Sequence, residues 1–275
     1  LLFKRGLKMM EYIRLIRLPN CIMTAVAVYI GAVVASANPS FTVPVILGMI
    51  SAFLVCAGGM AVNDYYDVEA DKINKKKRRP IVKGAVKKEN ALTVSIILSL
   101  VGLAAGYVIS MPAFYIALFA AIVLFSYSSK LKKIIFVGNI AISFLVALSF
   151  FYGALIGGSV FSVLILALLA FLANMGREIY KDIEDVLGDK KIGRKTLALR
   201  IGVLNAKSIA SMFVLAAVAL SFVPFFLTFD YVYLFFVVIA DIVFIGAVIA
   251  PLALRTKFCK IAMTIALVAF YAAAI

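Results

Sequence analysis

Apolar runs about as long as a bilayer crossing follow one another along the chain, separated by short polar segments. A membrane-spanning helix needs about 20 such residues. The interruptions define nine candidate spans, at 18–37, 43–66, 89–110, 112–129, 134–156, 160–180, 203–227, 231–254 and 258–275. These runs are far too long for the strands of a membrane barrel, and backbone inside hydrocarbon must satisfy its own hydrogen bonds, so helices are expected throughout. The pattern predicts an all-α polytopic membrane protein forming a single domain over 1–275, with nothing that resembles a second, soluble domain. The fourth span is short, and the ninth is close to the minimum.

Composition agrees, with 65% hydrophobic residues against about 45–50% in an ordinary soluble domain. All 28 basic residues fall in five segments, 4–17, 72–88, 130–133, 177–207 and 255–260, which are alternate loops of the predicted plan. The intervening loops, near Asn38-Pro39-Ser40, Ser110-Met111-Pro112, Gly157-Gly158-Ser159 and from Pro224 to Asp230, contain no Lys or Arg. By the positive-inside rule the N-terminus is expected in the cytoplasm and the C-terminus outside, which requires an odd number of spans. Lys4, Arg5, Lys8, Arg14 and Arg17 before the first span superficially suggest a signal peptide, but the first span reads as a retained helix. The net charge of +15 belongs to one membrane face. It therefore supports contact with membrane lipid headgroups and phosphorylated substrates, and gives no support to nucleic acid.

Cys21, Cys56 and Cys259 stand alone in or beside apolar helix and read as small buried hydrophobes. There is no histidine, so His-based triads, His-ligated heme and His-containing zinc sites are excluded. Chemistry must come from carboxylates, Lys, Arg, Tyr, Asn or a bound ion.

Of the 13 acidic residues, Asp64, Asp67, Glu69, Asp71 and Glu89 lie at or after the end of the second span, and Glu178, Asp182, Glu184, Asp185 and Asp189 do so at the sixth. Asn63, Asp67 and Asp71 recur every four positions and would line one helical face, as would Asp182, Asp185 and Asp189. Gly188 suggests a helix end, with Asp189 supplied by a turn. Carboxylates stacked in this way repel unless cations intervene. Hard Mg²⁺, which takes oxygen ligands and shares carboxylates with substrate phosphates, is the economical explanation. Solvated helix ends balanced by neighbouring Lys and Arg are the plainer alternative.

At these residues the chain resembles the UbiA superfamily of intramembrane prenyltransferases. The family's first motif, N-D-x-x-D-x-x-x-D, is matched by Asn63, Asp64, Asp67 and Asp71. Its second, of D-x-x-x-D type, is matched by Asp185 and Asp189, preceded by Asp182. Nine helices with these motifs after the second and sixth are also the family's plan. The resemblance implies a bundle around a central cavity, with an active site at its cytoplasmic mouth. There Asn63, Asp64, Asp67, Asp71, Asp182, Asp185 and Asp189 would bind Mg²⁺, which holds the diphosphate of a polyprenyl donor; Asp67, Asp71, Asp182 and Asp185 would carry the catalysis. It also implies a diphosphate-binding basic residue in the R-P stretch, here Arg79. Tyr127 and Lys132 match a Y-x-x-x-L-K segment and would reach the phosphates. Arg177 and Lys181 stand beside the second cluster with Glu178, and Asn20, in an R-x-x-N sequence that starts at Arg17, would face the cavity. A plain helix-start role for Pro19 and Asn20 stays open. Lys75, Lys76 and Lys77 read as a positive-inside signal.

Within the family, the stretch REIYKDIEDVLGDKKIGRKTLALRIG is most similar to the branch that makes archaeal ether lipids. That likeness implies geranylgeranyl diphosphate as donor and geranylgeranylglyceryl phosphate as acceptor. An aromatic acceptor of quinone or heme biosynthesis would share the whole site. A CDP-alcohol phosphotransferase would need a D-G-x-x-A-R opening, which is absent. A cation transporter would want ionisable residues at mid-membrane depth, where only Asp241 stands, and a helix-to-helix hydrogen bond is expected for it. Gly31, Gly48, Gly58, Gly59, Gly102 and Gly106 permit close helix packing without telling which helices meet.

Overall fold

The computed structural model describes residues 2–38, 40–228 and 230–272. Pro39 of the first outer loop, Phe229 of the fourth and the last three residues of the ninth predicted span lie outside them. The described residues contain no strand. Helix α1 (Leu2–Leu15) leads into α2 (Leu18–Ser36), α3 (Val43–Ile73), α4 (Lys88–Ile109), α5 (Met111–Ser129), α6 (Val137–Gly157) and α7 (Leu164–Glu184). Two short helices, α8 (Val186–Lys191) and α9 (Leu197–Ile201), precede α10 (Val203–Leu220), α11 (Val223–Thr228), α12 (Tyr231–Ile249) and α13 (Leu252–Ala272).

Eight of the predicted spans correspond to helices long and apolar enough to cross a bilayer, with α10 and α11 together forming one of them. The ninth, α13, has 21 residues but carries Arg255, Lys257 and Lys260 in its first three turns. Sequence spacing left Arg255 and Lys257 in the loop between the eighth and ninth spans, with Lys260 at the start of the ninth. All three are helical because Pro251 ends α12 and α13 begins directly after it. Arg255 is then buried and donates to the Tyr180 hydroxyl at 3.2 Å. The amphipathic α1 was not anticipated. Its Leu15 packs with Ala61, Val86 and Ala91, while Glu11 takes Lys83 at 2.6 Å and Arg14 at 2.8 Å.

Without a hydrophobic drive between helices in lipid, close backbone approach and buried polar contacts hold such a bundle together. A side chain at Gly31, Gly153 or Gly157 would run into the backbone of the facing helix, so α2 and α6 meet nearly backbone to backbone. On the other side of α3, the Ser95 hydroxyl donates to the Gly58 carbonyl at 2.7 Å and Ser51 to the Gly102 carbonyl at 2.8 Å, joining α3 to α4. α7 packs on α6, α10 and α13, and α13 also reaches α2 and α12, which closes the ring around a central cavity. Large apolar side chains such as Leu100, Val108, Tyr115, Phe235 and Ile249 face outward, the surface expected against lipid. The chain is a multi-pass membrane protein.

Candidate active site

The first acidic cluster stands on uninterrupted helix. α3 runs 31 residues to Ile73, so Asn63, Asp67 and Asp71 fall on successive turns of one face, all buried. The second cluster is built on a break. α7 stops at Glu184, Asp185 caps it with its N–H on the Lys181 carbonyl at 3.0 Å, and α8 restarts at Val186. The break falls at Asp185 and not, as spacing suggested, at Gly188. Gly188 lies inside α8 because Asn74 is seated against it where any side chain would collide. Asn74 Oδ1 accepts from the Gly188 N–H at 2.9 Å, and its Nδ2 points to Asp185 at 3.4 Å. The end of α3 thereby docks α8, and both clusters line one polar cavity.

Each carboxylate there has a polar partner. Lys76 lies between Asp71 at 3.4 Å and Asp185 at 2.6 Å. Arg194 lies between Asp67 and Asp189, 3.0 Å from the latter. Lys132 donates to Asp67 at 2.6 Å and Asn139 to Asp182 at 2.8 Å. Burial pushes the Lys132 ammonium down to about 8, against the pull of Asp67. Burial pushes the Asp189 carboxyl up, with Arg194 opposing.

Asp64 does not line the polar cavity. It is 2% exposed and clasped by Arg17 at 2.6 Å and Arg79 at 2.5 Å, while its Oδ2 has no hydrogen-bond partner among the described residues. Arg17 takes a left-handed backbone conformation, φ 51°, which turns α1 into α2 and brings its guanidinium onto Asp64. Among the described residues no three acidic groups converge into a ready-made metal cage. The donor set nevertheless suits Mg²⁺, being oxygen throughout, with a cation already standing between Asp71 and Asp185 and another between Asp67 and Asp189.

Beneath the polar cavity lies an apolar one of about 240 Å³, walled by residues such as Met60, Leu124, Leu169, Phe244 and Phe270. Asn63, Tyr127 and Lys181 line both cavities. Asn20 and Arg177 also face the apolar cavity, and Arg79 the polar one. Arg177 and Lys181 hold the buried Glu178 at 2.5 and 2.9 Å. Asp241 accepts from the Ser221 hydroxyl at 2.7 Å, a bond from α12 to the turn that follows α10 where one between two helices was expected.

Sequence reasoning missed Arg194, Asn74, Asn139 and the part played by Lys76. Arg194 carried the one available signal, a basic residue five positions after Asp189. Within the 75–77 run, Lys76 turns inward to two carboxylates while Lys75 and Lys77 stay exposed, a split that composition cannot reveal.

An intramembrane bundle with two acidic helix ends over an apolar chamber is the architecture of a prenyltransferase, and the chain belongs to the UbiA prenyltransferase family, whose model matches residues 24–273. It is 39% identical over 241 residues to digeranylgeranylglyceryl phosphate synthase of Sulfurisphaera tokodaii, covering 86% of each chain. A solved structure described as digeranylgeranylglyceryl phosphate synthase in membranes is 36% identical, with a TM-score of 0.73 over 97% of this chain and 98% of that one. A UbiA homolog from Archaeoglobus fulgidus bound to GPP and Mg²⁺ shares the fold at 20% identity, with a TM-score of 0.68 over 96% of this chain and 99% of that one.

Proposed function

We propose that the chain transfers a geranylgeranyl group from geranylgeranyl diphosphate to the free hydroxyl of geranylgeranylglyceryl phosphate, forming the second ether bond of archaeal membrane lipid. The activity in the relatives' name supports this reading. The observation that carries the site chemistry is two pairs of carboxylates, Asp71 with Asp185 and Asp67 with Asp189, each pair bridged by a positive charge, Lys76 or Arg194, next to an apolar chamber.

In this reading Asn63, Asp67, Asp71, Asp182, Asp185 and Asp189 hold Mg²⁺, whose chemistry when bound is to neutralise charge on the departing diphosphate. The Archaeoglobus neighbour with GPP and Mg²⁺ is in keeping with it. Lys76 and Arg194 leave their carboxylates and bind phosphate oxygens, Arg194 in the forked manner open to a guanidinium. Asp64 acts by fixing Arg17 and Arg79 at the rim rather than as a ligand. As the bond from diphosphate to the allylic carbon breaks, negative charge grows where Lys132, Lys181 and Arg79 converge, and the barrier falls accordingly. Asn63 and Tyr127 form the threshold where the prenyl tail descends, and the apolar walls keep water from the allylic cation. The hydroxyl oxygen then bonds to that carbon and its proton passes to a site carboxylate or to the departing diphosphate, which leaves with the electron pair of the broken bond. The site faces the cytoplasm of the cell membrane, with the N-terminus inside and the C-terminus outside.

The test is transfer of radiolabelled geranylgeranyl group by purified protein, with Mg²⁺ or EDTA, to geranylgeranylglyceryl phosphate and in parallel to 4-hydroxybenzoate. Metal-dependent product with the glyceryl phosphate alone is expected. Product with the aromatic acid alone would keep the site and overturn the acceptor.

A further inference from the structure

Beside the polar cavity lies a second recess of opposite character. It is lined by Arg17, Lys76, Arg79, Arg177, Lys181 and Lys260, with Asn20 and only two carboxylates, Glu184 and Asp185. The polar cavity is balanced by comparison, setting Asp67, Asp71, Asp182, Asp185 and Asp189 against Lys76, Arg79, Lys132, Lys181 and Arg194. Pairing does not relieve the excess. Arg17 and Arg79 share Asp64, and the second carboxylate within reach of Arg79, Asp71 at 3.4 Å, is shared in turn with Lys76. Arg177 and Lys181 share Glu178. Asp185 is taken by Lys76 and Glu184 accepts from Thr256 at 2.6 Å. Lys260 makes no ion pair among the described residues; its ammonium donates to Asn20 Oδ1. Cations crowded on too few carboxylates repel one another, and a ligand anion removes that cost.

The position is as informative as the charge. Lys260 and Asn20, from α13 and α2, line both this recess and the apolar cavity. An amphiphile with its anionic head beside them has a chamber for its tail and lies next to the place where diphosphate departs. Lys76, Arg79, Lys181 and Asp185 form the wall shared with the polar cavity, so two anions can be held on its two sides.

We propose that this recess is the seat of the acceptor's phosphate, with Lys260, positioned by Asn20, as the residue that selects a phosphate-bearing acceptor over a neutral one. This rests on the proposed ether-lipid reaction and adds a residue that selects between its acceptors. Lys260 binds and orients; it takes no part in breaking the donor bond.

The test compares initial rates of full-length wild type, Lys260→Met and Lys260→Arg with two acceptors, geranylgeranylglyceryl phosphate and its dephosphorylated alcohol, varying the acceptor at saturating donor and then the donor at saturating acceptor, always with saturating Mg²⁺. One charge-assisted contact is worth about tenfold or more in affinity. In the wild type, loss of the acceptor phosphate raises the acceptor KM at least about tenfold. In Lys260→Met the acceptor KM for the phosphate ester rises toward that of the alcohol while the donor KM stays within about twofold, and Lys260→Arg restores most of the preference. An unchanged preference in Lys260→Met overturns the inference and leaves the reaction standing. Equal use of both acceptors by the wild type, a comparison that needs no variant to fold, also overturns it. No transfer to either acceptor, with transfer to 4-hydroxybenzoate, overturns the reaction reading and this inference together.

Discussion

The two acidic clusters share a cavity but are built on opposite principles. Asp67 and Asp71 need only the pitch of a continuous helix, and α3 continues to Ile73 to provide it. Asp185 and Asp189 depend on a break, a six-residue helix and one asparagine from the other cluster. A carboxylate column read from helical spacing is therefore rigid on one side and assembled by tertiary contact on the other. Continuous helix on one side and a tertiary dock on the other suit the proposed exchange of Lys76 and Arg194 for substrate.

The largest break in this comparison removes one carboxylate from each side. Asp67→Asn and Asp185→Asn keep shape and lose charge, and each is expected to lower kcat by about 10²–10³-fold, as loss of a group that stabilises transition-state charge does. Equal losses support one shared site, and a loss confined to Asp67→Asn would mean that the second cluster is structural.

That expectation could be written from the sequence, and so could most of the bundle. Eight spans and the face of Asn63, Asp67 and Asp71 were legible because helical period and apolar length are local properties. The convergence of Tyr127, Lys132, Arg79 and Lys181 was implied only by the family resemblance. What escaped depends on distant pairs. Asn74 reaches Gly188 across 114 positions and Arg194 reaches Asp67 across 127, and no local pattern announces either. Arg255 and Lys257 were left in a loop because their charges resemble a positive-inside signal; α13 already begins at Leu252, and Arg255 is buried against Tyr180.

A smaller effect sharpens the contrast. Gly188→Ala puts a methyl group against Asn74 and should cost about 1–3 kcal/mol in stability, read as a lowered unfolding midpoint in detergent. Activity should fall about tenfold as α8 moves with Asp189. Asn74→Ala relieves that clash but loses the bond to the Gly188 N–H, so the double variant should recover stability and not activity. Asp67 stands instead on the continuous helix α3, where helix pitch sets the geometry.

The smallest effect separates neighbours in one run. Lys77→Ala, at an exposed position, should leave kcat and donor KM within about twofold of wild type. Lys76→Ala should raise the donor KM about tenfold through lost phosphate contact. Equal effects would mean that the basic run acts only as a diffuse field.

The most direct measurement is calorimetric binding of unreactive geranylgeranyl thiodiphosphate to the purified protein, with saturating Mg²⁺ and with EDTA, in wild type, Asp67→Asn and Asp185→Asn. One shared metal and diphosphate site predicts affinity at least about a hundredfold higher with Mg²⁺, with the enhancement lost in both variants, since ligands that assist each other do so through the residues they share. Binding of equal strength in EDTA, or an enhancement that survives in either variant, would contradict it.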